Sequence, residues 1–327
     1  MRDKYSEPTS GCSLLIGCGS LLIISIIISV IITASVLGGY MSEIYAISQG
    51  NTDEYSAYIT ELTQKVYSEM DVFYQNYYLQ TLINAAQIVV LFIVFKLIYK
   101  RPVSQMGMSP RDWIRQMGLG CLVGFIAISL YALIANISGN AVFSDINLTN
   151  FLTINMVTSF AYFISVGFYE EILCRGFMMT ALKTTRKKWV IVAVPIVIFG
   201  VMHLLNPNIS LLGFINIMLI GLAFTYMFIK TGALWMPIGF HIMWNFFQGN
   251  IYGIQVSGLD QASPLMKYSA TGPDILTGGA FGAEGGLICT AIILALLAYI
   301  HYALKTDEPP VWTLDSDLPF NGYKAGV

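Results

Sequence analysis

The sequence predicts an all-α membrane protein, a polytopic transmembrane helical bundle of about eight spans with an additional amphipathic surface helix. Of its 327 residues, 56% are hydrophobic and only 11% are charged. The apolar residues are gathered into blocks about as long as the ~20 residues that a helix needs to cross a bilayer. The formal net charge is −2 and the basic residues are scattered, which argues against a nucleic-acid partner.

Polar connections separate the apolar blocks. Within residues 38–79, apolar positions recur at helical spacing with acids opposite them, which predicts an amphipathic helix on the membrane or over the bundle. A short surface helix containing Trp113 and Arg115 is expected to lead into the third span. The predicted spans are residues 13–37, 81–98, 119–137, 151–182, 189–205, 211–229, 234–251 and 285–302.

The charges of the connections predict the orientation in the cell membrane. Basic residues cluster at the amino terminus and after the second, fourth and sixth spans. The connections at 38–78, 138–150 and 253–284 carry acids and few bases. Because positive charge marks the cytoplasmic side, both termini are predicted to be cytoplasmic. No repeat period is visible, so we expect one membrane domain.

Two adjacent carboxylates and an arginine lie inside the fourth predicted span, in the apolar run from Phe151 to about Leu182. Each charge at the centre of a spanning helix costs roughly 2.5–3.5 kcal/mol, so such groups are usually paired, faced inward and functional. In a helix, Glu171 and Arg175 share a face, whereas Glu170 points about 100° away. The pattern indicates a structural pair of Glu171 with Arg175 and leaves Glu170 free for chemistry.

Two of the three histidines lie inside later spans. His203 follows Phe199 by four residues, and His241 precedes Asn245 by four, so each pair shares one helix face. Taken singly, an intramembrane histidine is as readily a hydrogen-bonding core group as a catalyst. Together with Glu170, however, three spans supply a carboxylate, two imidazoles and an amide. Such groups can activate water and stabilise an oxyanion.

Taken in order, these motifs resemble those of the CPBP (CAAX protease and bacteriocin-processing) family of intramembrane endopeptidases. The flanking residues 197–206 and 231–238 also resemble the family's consensus. The resemblance covers about residues 106–247 and leaves out the first hundred residues and the loop at 253–284. The motifs that carry it are Glu170-Glu171-x-x-x-Arg175, Phe199-x-x-x-His203 and His241-x-x-x-Asn245.

The resemblance implies an intramembrane endopeptidase, related to the CAAX prenyl endopeptidases, that acts on a membrane-associated protein or peptide. It implies that Glu170 and His203 hold and deprotonate the attacking water, while His241 and Asn245 donate to the oxyanion. Glu171 and Arg175 would be the ion pair that fixes the helix. The chain then divides into N-terminal spans with an amphipathic outer loop (1–105), a catalytic membrane core (106–252), and an outer loop, last span and cytoplasmic tail (253–327).

Three alternatives stay open at this point. Glu170, His203 and His241 are possible ligands of a zinc ion with an open position for water. Against this, the sequence contains no H-E-x-x-H motif and no C-x-x-C pair, so we expect no cofactor. The same polar cluster would also serve a noncatalytic binding or immunity protein. A transporter is less favoured because no inverted repeat is visible.

Overall fold

The computed structural model describes residues 76–304 except 101 and 152, together with residues 17, 19, 45, 58–62, 64–65 and 313–314. This part of the chain is mostly helical. We number its elements in chain order: α1 Tyr77–Tyr99, α2 Trp113–Ile137, β1 Ala141–Ser144, α3 Ile154–Glu171, α4 Met179–Leu182, α5 Lys188–Met202, α6 Leu211–Thr231, α7 Trp235–Phe246, β2 Lys267–Ala270, α8 Asp274–Thr277 and α9 Leu287–Tyr302.

Two of the helices continue through wider π-helical turns. The segment Ile172–Met178 is π-helical and joins α3 to α4, and Phe247–Ile251 extends α7 in the same way. Such π-helical insertions are rare in proteins overall, and those that occur are often at functional sites. The first begins directly after Glu171, and the second begins two residues after Asn245.

Four helical stretches within the described residues are long and apolar enough to cross a membrane. They are 77–99, 113–137, 154–185 and 211–231. The apolar helices α5 and α9 have 15 and 16 residues, fewer than the ~20 of a typical span. The predicted helical membrane fold is therefore confirmed, whereas the count of about eight spans is not.

The local sequence explains where several helices begin. Asn76, Thr153 and Ser210 each precede a helix, and their side chains accept hydrogen bonds from the backbone N–H groups of Leu79, Met156 and Gly213. These bonds satisfy N–H groups that have no partner inside the helix. The caps fix the starts of α1, α3 and α6.

Close contact between α2 and α7 places the helix that carries His241 in the middle of the bundle. A Cβ atom at Gly120 or Gly124 of α2 would collide with the backbone oxygens of Met236 and Phe240 on α7. Small residues four apart permit two helix backbones to approach this closely, as in the G-x-x-x-G contact of membrane helices. Helix α7 is consequently buried on almost all sides.

A two-stranded antiparallel sheet joins two of the predicted outer connections. Strand β1 pairs with β2 so that Ala141 lies opposite Ala270 and Ser144 lies opposite Lys267. The sequence did not indicate these strands. They attach the loop after α2 to the long segment between α7 and α9.

The observed boundaries differ from the predicted ones at two places. The prediction of a separate surface helix at Trp113 was wrong, because Trp113–Ile137 is a single helix. Helix α5 ends at Met202, so His203 lies at the end of the helix and not inside it. Most of the predicted first span and most of the amphipathic segment lie outside the described residues. Residues 17 and 19 of the first and residues 58–62 and 64–65 of the second are described, and they are helical.

Candidate active site

The candidate site is built on the end of α3, where the two adjacent carboxylates lie. Glu171 Oε1 accepts a hydrogen bond from Arg175 Nη1 at 2.9 Å, and both side chains are fully buried. The Glu170 side chain is 17% exposed. The two glutamates thus have different surroundings, as the helical geometry predicts.

Arg175 is bound by α5 and α6 as well as by Glu171. Its Nη2 donates to the carbonyl oxygen of Gly221 at 2.9 Å, and its Nε donates to Thr225 Oγ1 at 3.4 Å. The guanidinium lies over the ring of Phe199 at 4.6 Å and over that of Phe224 at 5.2 Å. These contacts compensate a buried cation with a carboxylate, two further acceptors and two aromatic faces.

His241 lies between the two carboxylates. Its Nδ1 is 3.2 Å from Glu171 Oε1, and its Nε2 is 3.7 Å from Glu170 Oε2. The imidazole also stacks on the ring of Phe224, with centroids 5.0 Å apart. Because a carboxylate oxygen only accepts, the contact with Glu171 assigns a proton to Nδ1. The Nε2 atom is then the one that faces Glu170.

His203 is held at the end of α5 by its own helix. Its Nδ1 is 2.7 Å from the carbonyl oxygen of Phe199, and the two rings are 4.8 Å apart. A carbonyl oxygen can only accept, so Nδ1 carries the proton of this hydrogen bond. In the neutral imidazole, Nε2 is then an acceptor.

One cavity of about 220 Å³ brings the predicted residues together. Glu170, His203, His241 and Asn245 all line it, although they come from α3, the end of α5, and α7. Glu171 and Arg175 are absent from its lining and lie behind it. The arrangement can hold a peptide group or a water molecule among a carboxylate, two imidazoles and an amide.

The contacts inside the cavity differ in one respect from those that the resemblance implies. The ion contact of Glu170 is with His241, and no ion contact within 4.0 Å joins Glu170 to His203 in the described structure. One oxygen of Glu170, Oε2, is buried without a hydrogen-bond partner among the described groups. Any joint action of Glu170 and His203 must therefore pass through a bound molecule between them.

A zinc ion needs three protein ligands around one point and an open position for water. Over the described residues, no group of three or more His, Cys, Asp and Glu side chains is arranged to hold a metal. Glu170, His203 and His241 nevertheless line the same cavity, and the hydrogen bonds at His241 Nδ1 and His203 Nδ1 leave Nε2 as the second nitrogen of each ring. A zinc-dependent variant stays an alternative that activity measurements with a chelator test.

A third carboxylate at the cavity escaped the sequence analysis. Glu284 lies in the turn Ala283–Gly285 before α9, is 2% exposed, and lines the same cavity as Glu170. It is an isolated acid at the edge of the last predicted span. The rule that a charge near lipid depth marks a functional group would have singled it out.

Comparison with known proteins adds a match over the central part of the chain. Residues 152–247 match the family model described as type II CAAX prenyl endopeptidase Rce1-like. This segment contains Glu170, Glu171, Arg175, His203, His241 and Asn245. No curated protein and no solved structure gives a match. The resemblance that the motifs predicted is thereby confirmed, since residues 152–247 of this chain match the Rce1-like family of type II CAAX prenyl endopeptidases.

Proposed function

We propose that this protein is an intramembrane endopeptidase that hydrolyses a peptide bond of a membrane-associated protein or peptide with a glutamate-activated water molecule. The family match supports a membrane-embedded protease. The observation that carries the glutamate mechanism is the single cavity lined by Glu170, His203, His241 and Asn245. Its volume, about 220 Å³, suits one side chain with the adjoining peptide group.

In the proposed mechanism, Glu170 is the general base. Its buried Oε2 is able to accept a hydrogen bond from water, and His203 Nε2 offers a second acceptor across the same cavity. Water held by both groups loses a proton to Glu170 as its oxygen attacks the carbonyl carbon of the scissile bond. Glu170 then returns this proton to the departing amine, and the two peptide products leave with one water molecule added.

His241 and Asn245 supply the donors for the oxyanion in this scheme. The amide of Asn245 donates directly. Because His241 Nδ1 already donates to Glu171, donation from Nε2 requires the doubly protonated imidazolium. An imidazolium with Glu170 and Glu171 on its two sides is an electrostatically matched arrangement. Donors fixed before the reaction stabilise charge that develops in the transition state.

The buried ion pair of Glu171 and Arg175 has a positioning role in this scheme. Arg175 fixes Glu171, and Glu171 in turn fixes the ring of His241. Neither member of the pair lines the cavity. The mechanism needs no metal ion, and no step depends on one.

The decisive test replaces Glu170 by Gln in the full-length protein. Loss of the base is expected to lower kcat by roughly 10²–10⁴-fold, the range typical of general-base removal. The matched control is Glu61→Gln, because Glu61 lies on the surface in an i, i+4 pair with Lys65. Cleavage is measured by mass spectrometry of membrane peptides that accumulate with Glu170→Gln but not with the control.

Two results would redirect the proposal. Full biological activity of Glu170→Gln would favour the noncatalytic binding or immunity protein. Loss of activity with a chelator and recovery with zinc would favour the metal-dependent protease.

We further propose that both termini are cytoplasmic and that the shorter helices complete a bundle of about eight crossings. The basic residues at the amino terminus and after residues 98, 182 and 229 support this orientation. Cysteine accessibility at residues 2 and 140 from the two sides of sealed vesicles tests it.

A further inference from the structure

The third carboxylate at the cavity, Glu284, is bound by the end of α7 with its π-helical extension and by the segment that follows them. Glu284 Oε1 accepts from Trp244 Nε1 at 3.3 Å, and Oε2 accepts from Gln248 Nε2 at 2.7 Å and from the backbone N–H of Ser257 at 3.4 Å. Trp244 and Ser257 also line the cavity. The carboxylate is thus held at the wall formed by α7 and the segment that follows it.

The donors to Glu284 within the described part of the chain are all neutral. Glu171, by contrast, has a guanidinium partner in Arg175. Among the described residues, the cavity lining contains Glu170 and Glu284 but no lysine or arginine. The described lining groups that can become positive are the imidazoles of His203 and His241. The cavity therefore has an acidic character with no fixed cation.

A buried carboxylate without a cation is electrostatically incomplete. Burial raises the pKa of the Glu284 carboxyl, while the hydrogen bonds from Gln248, from its own backbone N–H, from Trp244 and from Ser257 lower it in part. All of these donors are neutral, so none of them supplies a positive charge to compensate the ionised carboxylate. An opposite charge at close range favours the ionised form.

We propose that Glu284 is a specificity residue that receives the cationic side chain of a lysine or arginine near the scissile bond of the substrate. This inference rests on the proposed peptidase function and names its substrate class. Ile217, Ile220 and Val256 line the same cavity and provide apolar surface for the methylene groups of such a side chain. The ammonium or guanidinium group pairs with the Glu284 carboxylate, and acidic side chains are repelled.

Glu284 also has a structural role that the experiment must separate from specificity. Its backbone oxygen accepts from Asn216 Nδ2 at 2.7 Å, and its side chain joins α7 to Ser257. Loss of these bonds alone would affect all substrates equally. A ratio between two substrates cancels this common loss, so selectivity is the informative quantity.

The experiment uses purified full-length protein in nanodiscs with fluorogenic peptides in which the positions near the cleavage site are varied one at a time. At each position, lysine, arginine, norleucine and glutamate are compared. Norleucine has about the length of lysine without its charge. The wild-type protein is expected to prefer lysine or arginine over norleucine about tenfold in kcat/KM at one position, as for one hydrogen bond to a charged group. In Glu284→Gln this ratio is expected to fall to about 1, whereas Glu61→Gln keeps it.

Binding provides a readout that does not depend on turnover. Kd values of the lysine and norleucine peptides are measured with Glu170→Gln alone and combined with Glu284→Gln. If the wild-type protein cleaves no peptide but lysine selectivity in binding depends on Glu284, the proposed peptidase function fails, whereas the recognition of a cationic side chain by Glu284 stands. If peptides are cleaved without any cationic preference, the inference is overturned and the peptidase function stands.

Two further results would also overturn the inference. The first is a lysine-to-norleucine ratio that persists in Glu284→Gln. The second is an unchanged lysine-to-arginine ratio in Glu284→Asp, the variant that is used if Glu284→Gln does not fold. Because its carboxylate is shorter by one methylene group, Glu284→Asp is expected to shift the preference from lysine toward the longer arginine.

Discussion

Replacing Glu171 by Ala tests how the buried charges of the site are compensated. Arg175 is fully buried, and the substitution removes the carboxylate that lies 2.9 Å from its Nη1. Only the Gly221 carbonyl, the Thr225 hydroxyl and two aromatic faces would remain as partners. Breaking a buried pair from one side typically costs about 3–5 kcal/mol, because the other charge is left uncompensated.

The expected result is a fall of roughly 10 °C in the apparent Tm, measured by thermal unfolding in detergent micelles. Activity is expected to fall as well, since Glu171 also holds Nδ1 of His241. The double variant Glu171→Met with Arg175→Met removes both charges and should recover most of the lost stability. A Tm of Glu171→Ala within about 1 °C of the wild-type value would refute this account of the ion pair.

Two more predictions concern helix packing and buried amides. Gly124→Val is expected to destabilise the protein by about 1–3 kcal/mol and to abolish activity, because its side chain would enter the Phe240 backbone. Gly118→Val on the same helix is the control, since no described atom lies within 4 Å of a Cβ there, and equal Tm values for the two variants would contradict the packing argument. Asn216→Leu leaves the buried carbonyls of two residues just before α9 without their donor, which is expected to cost about 2–4 kcal/mol in chemical or thermal unfolding. The exposed Asn155→Leu should change stability by less than about 0.5 kcal/mol, and a comparable loss there would show that the buried amide is not special.

Local rules accounted for much of the bundle. Blocks of apolar residues located α1, α6 and α9 to within a few residues, because spanning helices must satisfy their own backbone hydrogen bonds inside lipid. The strands β1 and β2 were not predictable, since each is four residues long and their paired residues lie far apart in sequence, 123 positions for Ser144 with Lys267 and 129 for Ala141 with Ala270. Such short strands have no periodicity that distinguishes them from polar connections.

Part of the candidate site was likewise predictable from local sequence, and part of it was not. Spacing along one helix indicated that Glu171 pairs with Arg175, and the order of three motifs indicated the family. Spacing carries no information about which helices meet. The bridge of His241 to both glutamates, the Gly221 and Thr225 acceptors for Arg175, and the presence of Glu284 at the cavity all depend on contacts between distant segments.

The sequence by itself determined that this chain is a helical membrane protein, which residues are the candidates for its chemistry, and which family residues 152–247 match. It did so because hydropathy and the 3.6-residue turn are local properties. Only the tertiary structure decided that those residues share one cavity and that a third carboxylate joins them. The physical reason is that glycine contacts between α2 and α7, and the segment folded back over α7, bring together groups that no spacing in the chain relates.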